Sequence, residues 1–213
     1  MTNLVFDYDG TLNDTIRIYA PAFRMAQQYL AGKGLIAQKE YTDSEISQWL
    51  GFTAAEMWRS FAPHIPEKEK MDCSRLIGDE MVRLTLDGKA SLFPQTEEVL
   101  LGLKNKGYTL LFLSNCMTSY MDANRKHFAL DRFFSAFYCS ESFNHIPKYE
   151  IFEHIIESWQ GEFIIIGDRF HDMEIAQKNN LISVGCLYGY GNPTELHSAN
   201  FKIDRIEDLM LYL

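Results

Sequence analysis

What the chain lacks narrows its class first. It has no apolar run approaching the length of a membrane-spanning helix, and its first residues carry neither a basic segment nor the apolar stretch of a secretion signal, so a cytoplasmic protein without a membrane partner is expected. Basic charge is scarce. Against 29 Asp and Glu stand 20 Lys and Arg, a net charge of -9, and no Lys/Arg cluster offers a surface for neutralising a nucleic-acid backbone, so no nucleic-acid partner is expected. An acidic protein can still bind small phosphorylated molecules where one site supplies its own positive charge. The four cysteines, Cys73, Cys116, Cys139 and Cys186, have no CxxC spacing and no accompanying histidine pattern, and read as reduced, mostly buried thiols. Internal repeats and low-complexity segments are absent.

What is present suits one core domain with a modest insertion: 213 residues, 46% of them hydrophobic, can fill a sizeable core. Leu4-Val5-Phe6 reads as a short buried strand. From about residue 14 to residue 87 the signals are helical. Ile16, Tyr19, Ala20, Phe23, Ala26 and Leu30 form an apolar stripe, Thr42 to Ser44 and Thr53 offer caps, and residues 67 to 86 suit a long amphipathic helix in which Gly78 is the weak point; Pro21 marks a kink or a first turn. After Asp87-Gly88-Lys89 strands and helices alternate. Tyr108 to Leu113, Ala136 to Cys139, Phe163 to Ile166 and Ile182 to Val184 read as strands, with helices at 96–106, 117–128, 149–159, 172–179 and from 206 onward. That alternation predicts an α/β fold, a doubly wound parallel sheet, because right-handed crossovers cover both faces in turn. Residues 1–13 and 88–213 are expected to form the core and 14–87 an all-helical cap, placed by its point of insertion to act as a lid.

The chemistry-bearing residues stand where the strands end. Asp7 and Asp9 follow the first strand at a spacing that points both carboxylates the same way before Gly10 lets the chain turn. Ser114-Asn115 follows the second strand, Lys148 lies in a turn, and Gly167-Asp168 ends the fourth, with Asp172 four residues on. In open α/β sheets the carboxyl ends of the strands form the ligand crevice. A calcium loop starting at Asp7 is disfavoured, since its twelfth position would be Ile18 rather than an acidic residue.

Asp7-Tyr8-Asp9-Gly10-Thr11-Leu12 resembles the first motif of the haloacid dehalogenase superfamily, whose members are mostly magnesium-dependent phosphatases. Leu113-Ser114-Asn115 resembles the second motif, Lys148 the third, and Gly167-Asp168-Arg169-Phe170-His171-Asp172 the fourth, all in the expected order across nearly the whole chain. The helical block and the loop Leu187 to Leu196, with Tyr188-Gly189-Tyr190-Gly191, are similar to the phosphoglycolate-phosphatase-like branch. The resemblance implies a Rossmann-like core and an aspartyl-phosphate mechanism, with Asp7 as nucleophile and Asp9 as acid and base. It implies Mg²⁺ on the Asp7 side chain, the Asp9 carbonyl and the Asp168 side chain, with Asp172 holding a metal-bound water or steadying Lys148. Ser114, Asn115 and Lys148 would bind phosphate. Two departures stand out: Gln95 where relatives commonly have Gly, and Tyr149 after Lys148 where Pro is frequent.

The expected substrate is a small-molecule phosphate monoester, with phosphoglycolate, a nucleotide, pyrophosphate and a sugar phosphate all open, in a monomer or homodimer. Arg17, Trp49, Gly51, Phe52, Trp58 and Arg59 are the cap residues that could meet the leaving group, Trp49-Leu50-Gly51-Phe52 above all, because a glycine loop can approach closely. Three rival readings remain. A dehalogenase needs no acid at Asp9. A β-phosphoglucomutase-like phosphomutase would keep every motif. A non-catalytic binding or regulatory protein would usually lose a motif carboxylate, and none is lost here.

Overall fold

The computed structural model describes residues 1–213. In chain order β1 (Thr2–Phe6) is followed by α1 (Ile16–Gly32), α2 (Asp43–Ser47), α3 (Ala54–Phe61) and α4 (Glu67–Leu86), then by α5 (Thr96–Asn105), β2 (Thr109–Ser114), α6 (Thr118–His127) and β3 (Ala136–Cys139). The chain continues through α7 (Lys148–Ser158), β4 (Glu162–Gly167), α8 (Phe170–Asn179), β5 (Ile182–Cys186), β6 (Phe201–Ile203) and α9 (Leu209–Tyr212). All six strands pair in parallel, in the order β3-β2-β1-β4-β5-β6. The strand order reverses at β1, so the carboxyl end of β1 opens onto the crevice where such sheets bind ligands.

Side-chain alternation along the strands divides the core into two layers. Leu4, Phe6, Leu110, Phe112 and Ile166 face the layer that also holds Val99, Leu100 and Leu103 of α5, Tyr120 of α6 and Leu209 of α9. Val5, Leu111, Leu113 and Ile165 face the other, filled by Ile151, Phe152 and Ile155 of α7 and by Ile175 and Ala176 of α8. The first layer continues without a break into the helical insertion, through Ile18, Phe23, Trp49, Trp58 and Ile77. The insertion is therefore packed down on the site end of the sheet.

Local chemistry explains the insertion's short helices. Thr42 and Thr53 each close a capping box, with Glu45 and Glu56 returning a carboxylate to the cap N–H at 2.8 Å. Pro21 lies inside α1, which runs on through it. Gly78 does not break α4; it makes room for the Met117 thioether, which a Cβ there would strike. One expectation needs correction, and two positions went unread. Lys148 is not in a turn but is the first residue of α7, because Pro147 before it takes the extended conformation that precedes a helix. The edge strand β6 has no counterpart in the periodicity reading, since three residues are too few to show an alternation. Gln95 adopts the left-handed conformation, φ 64°, that its glycine-bearing relatives would adopt at no steric cost, so the turn is kept at a cost of about 1 kcal/mol. No helix is long and apolar enough to cross a membrane.

Candidate active site

Asp7 is positioned by β1: its N–H donates to Ile166 O across the sheet at 2.9 Å, fixing the backbone where the strand ends. One carboxylate oxygen, Oδ1, accepts from the Tyr8 N–H at 2.7 Å and lies 2.7 Å from Lys148 Nζ. The other, Oδ2, is buried and has no hydrogen-bond partner. Lys148 reaches from the start of α7 and also donates to Asp172 Oδ1 at 2.8 Å, both side chains being about 2% exposed. Asp172 Oδ2 accepts from the Arg169 N–H at 3.0 Å, at the start of α8. Asp168, fully buried, takes Thr11 Oγ1 at 3.2 Å on one oxygen and the N–H groups of Tyr190 and Gly191, at 2.7 and 3.3 Å, on the other. Close approach of loops makes this possible. At φ 85° Gly10 turns the chain against the Asp168 carboxylate, where any Cβ would collide with it.

Three carboxylates thus face one ammonium. Burial, then repulsion from Asp172, pushes Asp7 well above the usual carboxylate range despite the pull of Lys148. Burial and Asp172 likewise push Asp168 up to about 7. Burial pulls the Lys148 ammonium toward neutrality, but Asp172 and Asp7 outweigh it and hold its proton. Oxygens of Asp7, Asp168 and Asp172 lie within 4.8 Å of one another. Uncompensated negative charge, an orphaned Asp7 Oδ2 and an all-oxygen donor set fit a hard divalent cation. Of the three, Asp7 alone offers an oxygen without a donor, Oδ2; both oxygens of Asp168 are held by Thr11 and the Tyr190 and Gly191 N–H groups, and both of Asp172 by Lys148 and the Arg169 N–H.

Asp9 has a different setting. Its side chain stands outside that cluster, and Oδ1 accepts from Thr15 Oγ1 at 2.7 Å and from the Tyr120 hydroxyl at 2.8 Å. Burial raises its pKa, against the lowering effect of these donors and Asn13. Asn13 Nδ2 in turn donates to Thr15 Oγ1 and to the Tyr120 hydroxyl, at 3.0 and 2.9 Å, so the two donors are themselves steadied. A carboxyl so placed can hold or pass a proton while Asp7 stays engaged by Lys148.

Above these groups lies a cavity of about 160 Å³, bounded by Asp7, Asp9, Ser114 and Asn115 on the sheet side and by the insertion on the other. Trp49, Gly51 and Phe52 line it, and Gly51 O accepts from Asn115 Nδ2 at 3.3 Å. Trp49 does double duty, stacking on Phe23 with ring centroids 5.0 Å apart. Arg17, Arg59 and Trp58 are not brought to the cavity. Arg17 is exposed and pairs with Asp14, Arg59 lines a separate outer groove, and Trp58 is buried with its Nε1 donating to Ser74. Thr11, Thr15, Tyr120 and the Tyr190 N–H were not expected at the site. Thr11 and Thr15 share the Asp7 loop and so carried a signal, whereas Tyr120 arrives from α6 by tertiary packing alone.

Comparison with known proteins identifies the family. A family model described as haloacid dehalogenase-like hydrolase matches residues 4–186. The chain belongs to that family. It is 27% identical over 207 residues to a 5'-nucleotidase of Pseudomonas aeruginosa, covering 92% of this chain and 87% of the relative. It is 26% identical over 218 residues to a phosphoglycolate phosphatase of Pectobacterium atrosepticum, covering 97% and 90%. In fold it is similar to the crystal structure of a predicted phosphatase from Clostridium acetobutylicum, with a TM-score of 0.85, 23% identity, and coverage of 100% and 99%.

Proposed function

We propose that this haloacid dehalogenase-like hydrolase is a Mg²⁺-dependent phosphatase that hydrolyses a small-molecule phosphate monoester through an aspartyl phosphate on Asp7. The observation that carries the reading is the unequal treatment of two neighbouring carboxylates: Asp7 is locked by Lys148 and Tyr8 with one oxygen unpartnered, while Asp9 is hydrogen-bonded apart from it. The relatives named above include phosphatases, which supports the same chemistry.

In this reading the Asp7 and Asp168 side chains and the Asp9 carbonyl would hold Mg²⁺, which would supply positive charge to offset that of the phosphate. Lys148 offsets the repulsion between the Asp7 carboxylate and the incoming dianion, and is held in place for that by Asp172. The Ser114 hydroxyl and Asn115 amide, at the end of β2, bind the non-bridging oxygens. Asp7 then attacks phosphorus, the bond to the leaving oxygen breaks, and Asp9 gives that oxygen its proton. Water attacks the aspartyl phosphate next; Asp9 takes its proton, the Asp7–phosphorus bond breaks, and phosphate leaves. Burial raises the Asp9 pKa in the direction an acid needs. Residues 1–13 and 88–213 serve as the catalytic core, and 14–87 as the cap that excludes water from it.

The test is hydrolysis of p-nitrophenyl phosphate with and without Mg²⁺, followed by EDTA and by Mg²⁺ again. Activity that falls with EDTA and returns with Mg²⁺ is expected. Turnover unaffected by EDTA would remove the metal from the mechanism, and no turnover of any phosphomonoester would remove the phosphatase reading.

A further inference from the structure

We infer that the alcohol released by this enzyme is small, uncharged and largely apolar, an aryl or compact alkyl group on the scale of a benzene ring; this rests on the phosphatase reading above. The inference comes from the cavity wall. Of its 18 lining residues 11 are hydrophobic, and none is Lys, Arg or His. Its only ionisable carboxyls are Asp7 and Asp9, the groups that carry the chemistry. A leaving group with its own carboxylate or second phosphate would be buried beside them with no cation to pair with, an arrangement proteins avoid. Nearby cations are engaged elsewhere. The Arg169 guanidinium bonds Glu195 at 3.0 Å and the Leu50 carbonyl, and lies 4.4 Å from the centre of the Phe52 ring; Arg17 pairs with Asp14.

A polyol fares little better, because the cavity has few polar groups and several are already engaged. Ser74 Oγ accepts from Trp58 Nε1 at 2.7 Å, Asn115 Nδ2 donates to Gly51 O, and the Tyr120 hydroxyl donates to Asp9. Tyr19 also lines the cavity, and its hydroxyl and that of Ser74 donate to nothing within the protein, which leaves few donors for a polar substituent. The remaining wall, Phe52, Met57, Ile77, Met81 and Met117, offers only apolar surface. Size sets the other limit. An apolar cavity of roughly 150 Å³ accommodates benzene, and this one measures about 160 Å³, a scale that suits a compact group. The thioethers of three methionines suit a flat or irregular ring.

The experiment compares kcat/KM at saturating Mg²⁺ for benzyl phosphate, phosphoglycolate, pyrophosphate, glucose 6-phosphate and adenosine 5'-monophosphate. Benzyl phosphate is expected to exceed each of the others by about tenfold or more. If any of those four is hydrolysed as well as or better than benzyl phosphate, the substrate class is wrong while the phosphatase reading stands. If none of the five is hydrolysed while p-nitrophenyl phosphate is, the substrate class is wrong and the phosphatase reading stands; if p-nitrophenyl phosphate is not turned over either, the phosphatase reading falls with it. A second arm places a cation at the rim by Ala54→Lys, an exposed lining position on α3. The variant is expected to raise the ratio of phosphoglycolate to benzyl phosphate kcat/KM by about tenfold; an unchanged ratio would show that the missing cation does not set the preference.

Discussion

Beneath the cavity Asp7, Asp168, Asp172 and Lys148 are all at most 4% exposed, with Asp7 and Asp172 paired to Lys148, whereas the helical side of the cavity presents Phe52, Met57, Ile77 and Met81 and no charge. The two halves answer to different physics. Buried charges are costly unless partnered, so the sheet side tolerates little change and holds one reaction in place. An apolar wall is defined by volume, so the helical side can change its occupant by small substitutions without disturbing the charges. One face can therefore be broken by a single atom and the other only reshaped.

The largest effect is expected at Asp7. Asp7→Asn keeps the shape and removes the nucleophile, and kcat should fall by more than about a thousandfold, measured as phosphate release at saturating Mg²⁺. Folding should survive, since the neutral side chain no longer meets the repulsion from Asp172 and Asp168 that raises the Asp7 pKa. Activity within tenfold of the parent would end the covalent mechanism. Lys148→Met is next. It strips the one cation from two buried carboxylates, and in EDTA the variant should lose about 3–5 kcal/mol of stability by denaturant unfolding. A loss below about 1 kcal/mol would mean that the sheet side is less tightly coupled than its 2.7 and 2.8 Å contacts imply.

A gentler perturbation of the same charges is pH. Asp168 is pushed up to about 7 by burial and Asp172, above its value of about 3.9 in an unfolded chain. A raised folded-state pKa adds stability that is fully present below the unfolded value and is lost as pH rises through the folded one. Metal-free protein should therefore lose stability between about pH 4 and 7, on the order of a few kcal/mol. Saturating Mg²⁺ should flatten the loss by binding the ionised form. Thermal melts across that window, with EDTA and with Mg²⁺, check it; a metal-free protein that gains stability from pH 4 to 7 would contradict the crowding of carboxylates.

The same division governs how much could be read without coordinates. Asp7, Asp9, Ser114, Asn115, Lys148, Asp168 and Asp172 stand at strand or helix ends, so the alternation that predicts a parallel sheet also predicts that they converge. Order along the chain sufficed there. On the helical side it did not. Trp49, Gly51 and Phe52 were legible through their glycine loop, but Ile77, Met81 and Met117 look like any apolar helix residues, and nothing local distinguishes a wall facing a cavity from one facing another helix. Arg17 and Arg59 stand in the cap as candidates to meet the leaving group, but the packing of α1 and α3 turns both outward. β6 was too short to show, and the Tyr190 N–H contact with Asp168 depends on a loop path no periodicity encodes.

The smallest expected effect lies on the seam between the two halves. Glu56 closes the capping box of α3 and also meets His171 Nε2, at the start of α8, at 3.0 Å, so one carboxylate ties the insertion to the core. Burial alone would raise its pKa, but His171 and the Thr53 donors outweigh that and hold it at about 2. A depressed pKa adds stability that is present above the unfolded value of about 4.3 and is lost as pH falls through the folded one. Glu56→Gln should cost on the order of 1 kcal/mol at pH 7, a modest figure because the group is partly exposed and screened. The difference from the parent should shrink steadily from about pH 4 toward pH 2, as the parent's own carboxylate takes up a proton. A cost independent of pH would mean that the α3 cap, and not the carboxylate's contact with His171, carries the seam.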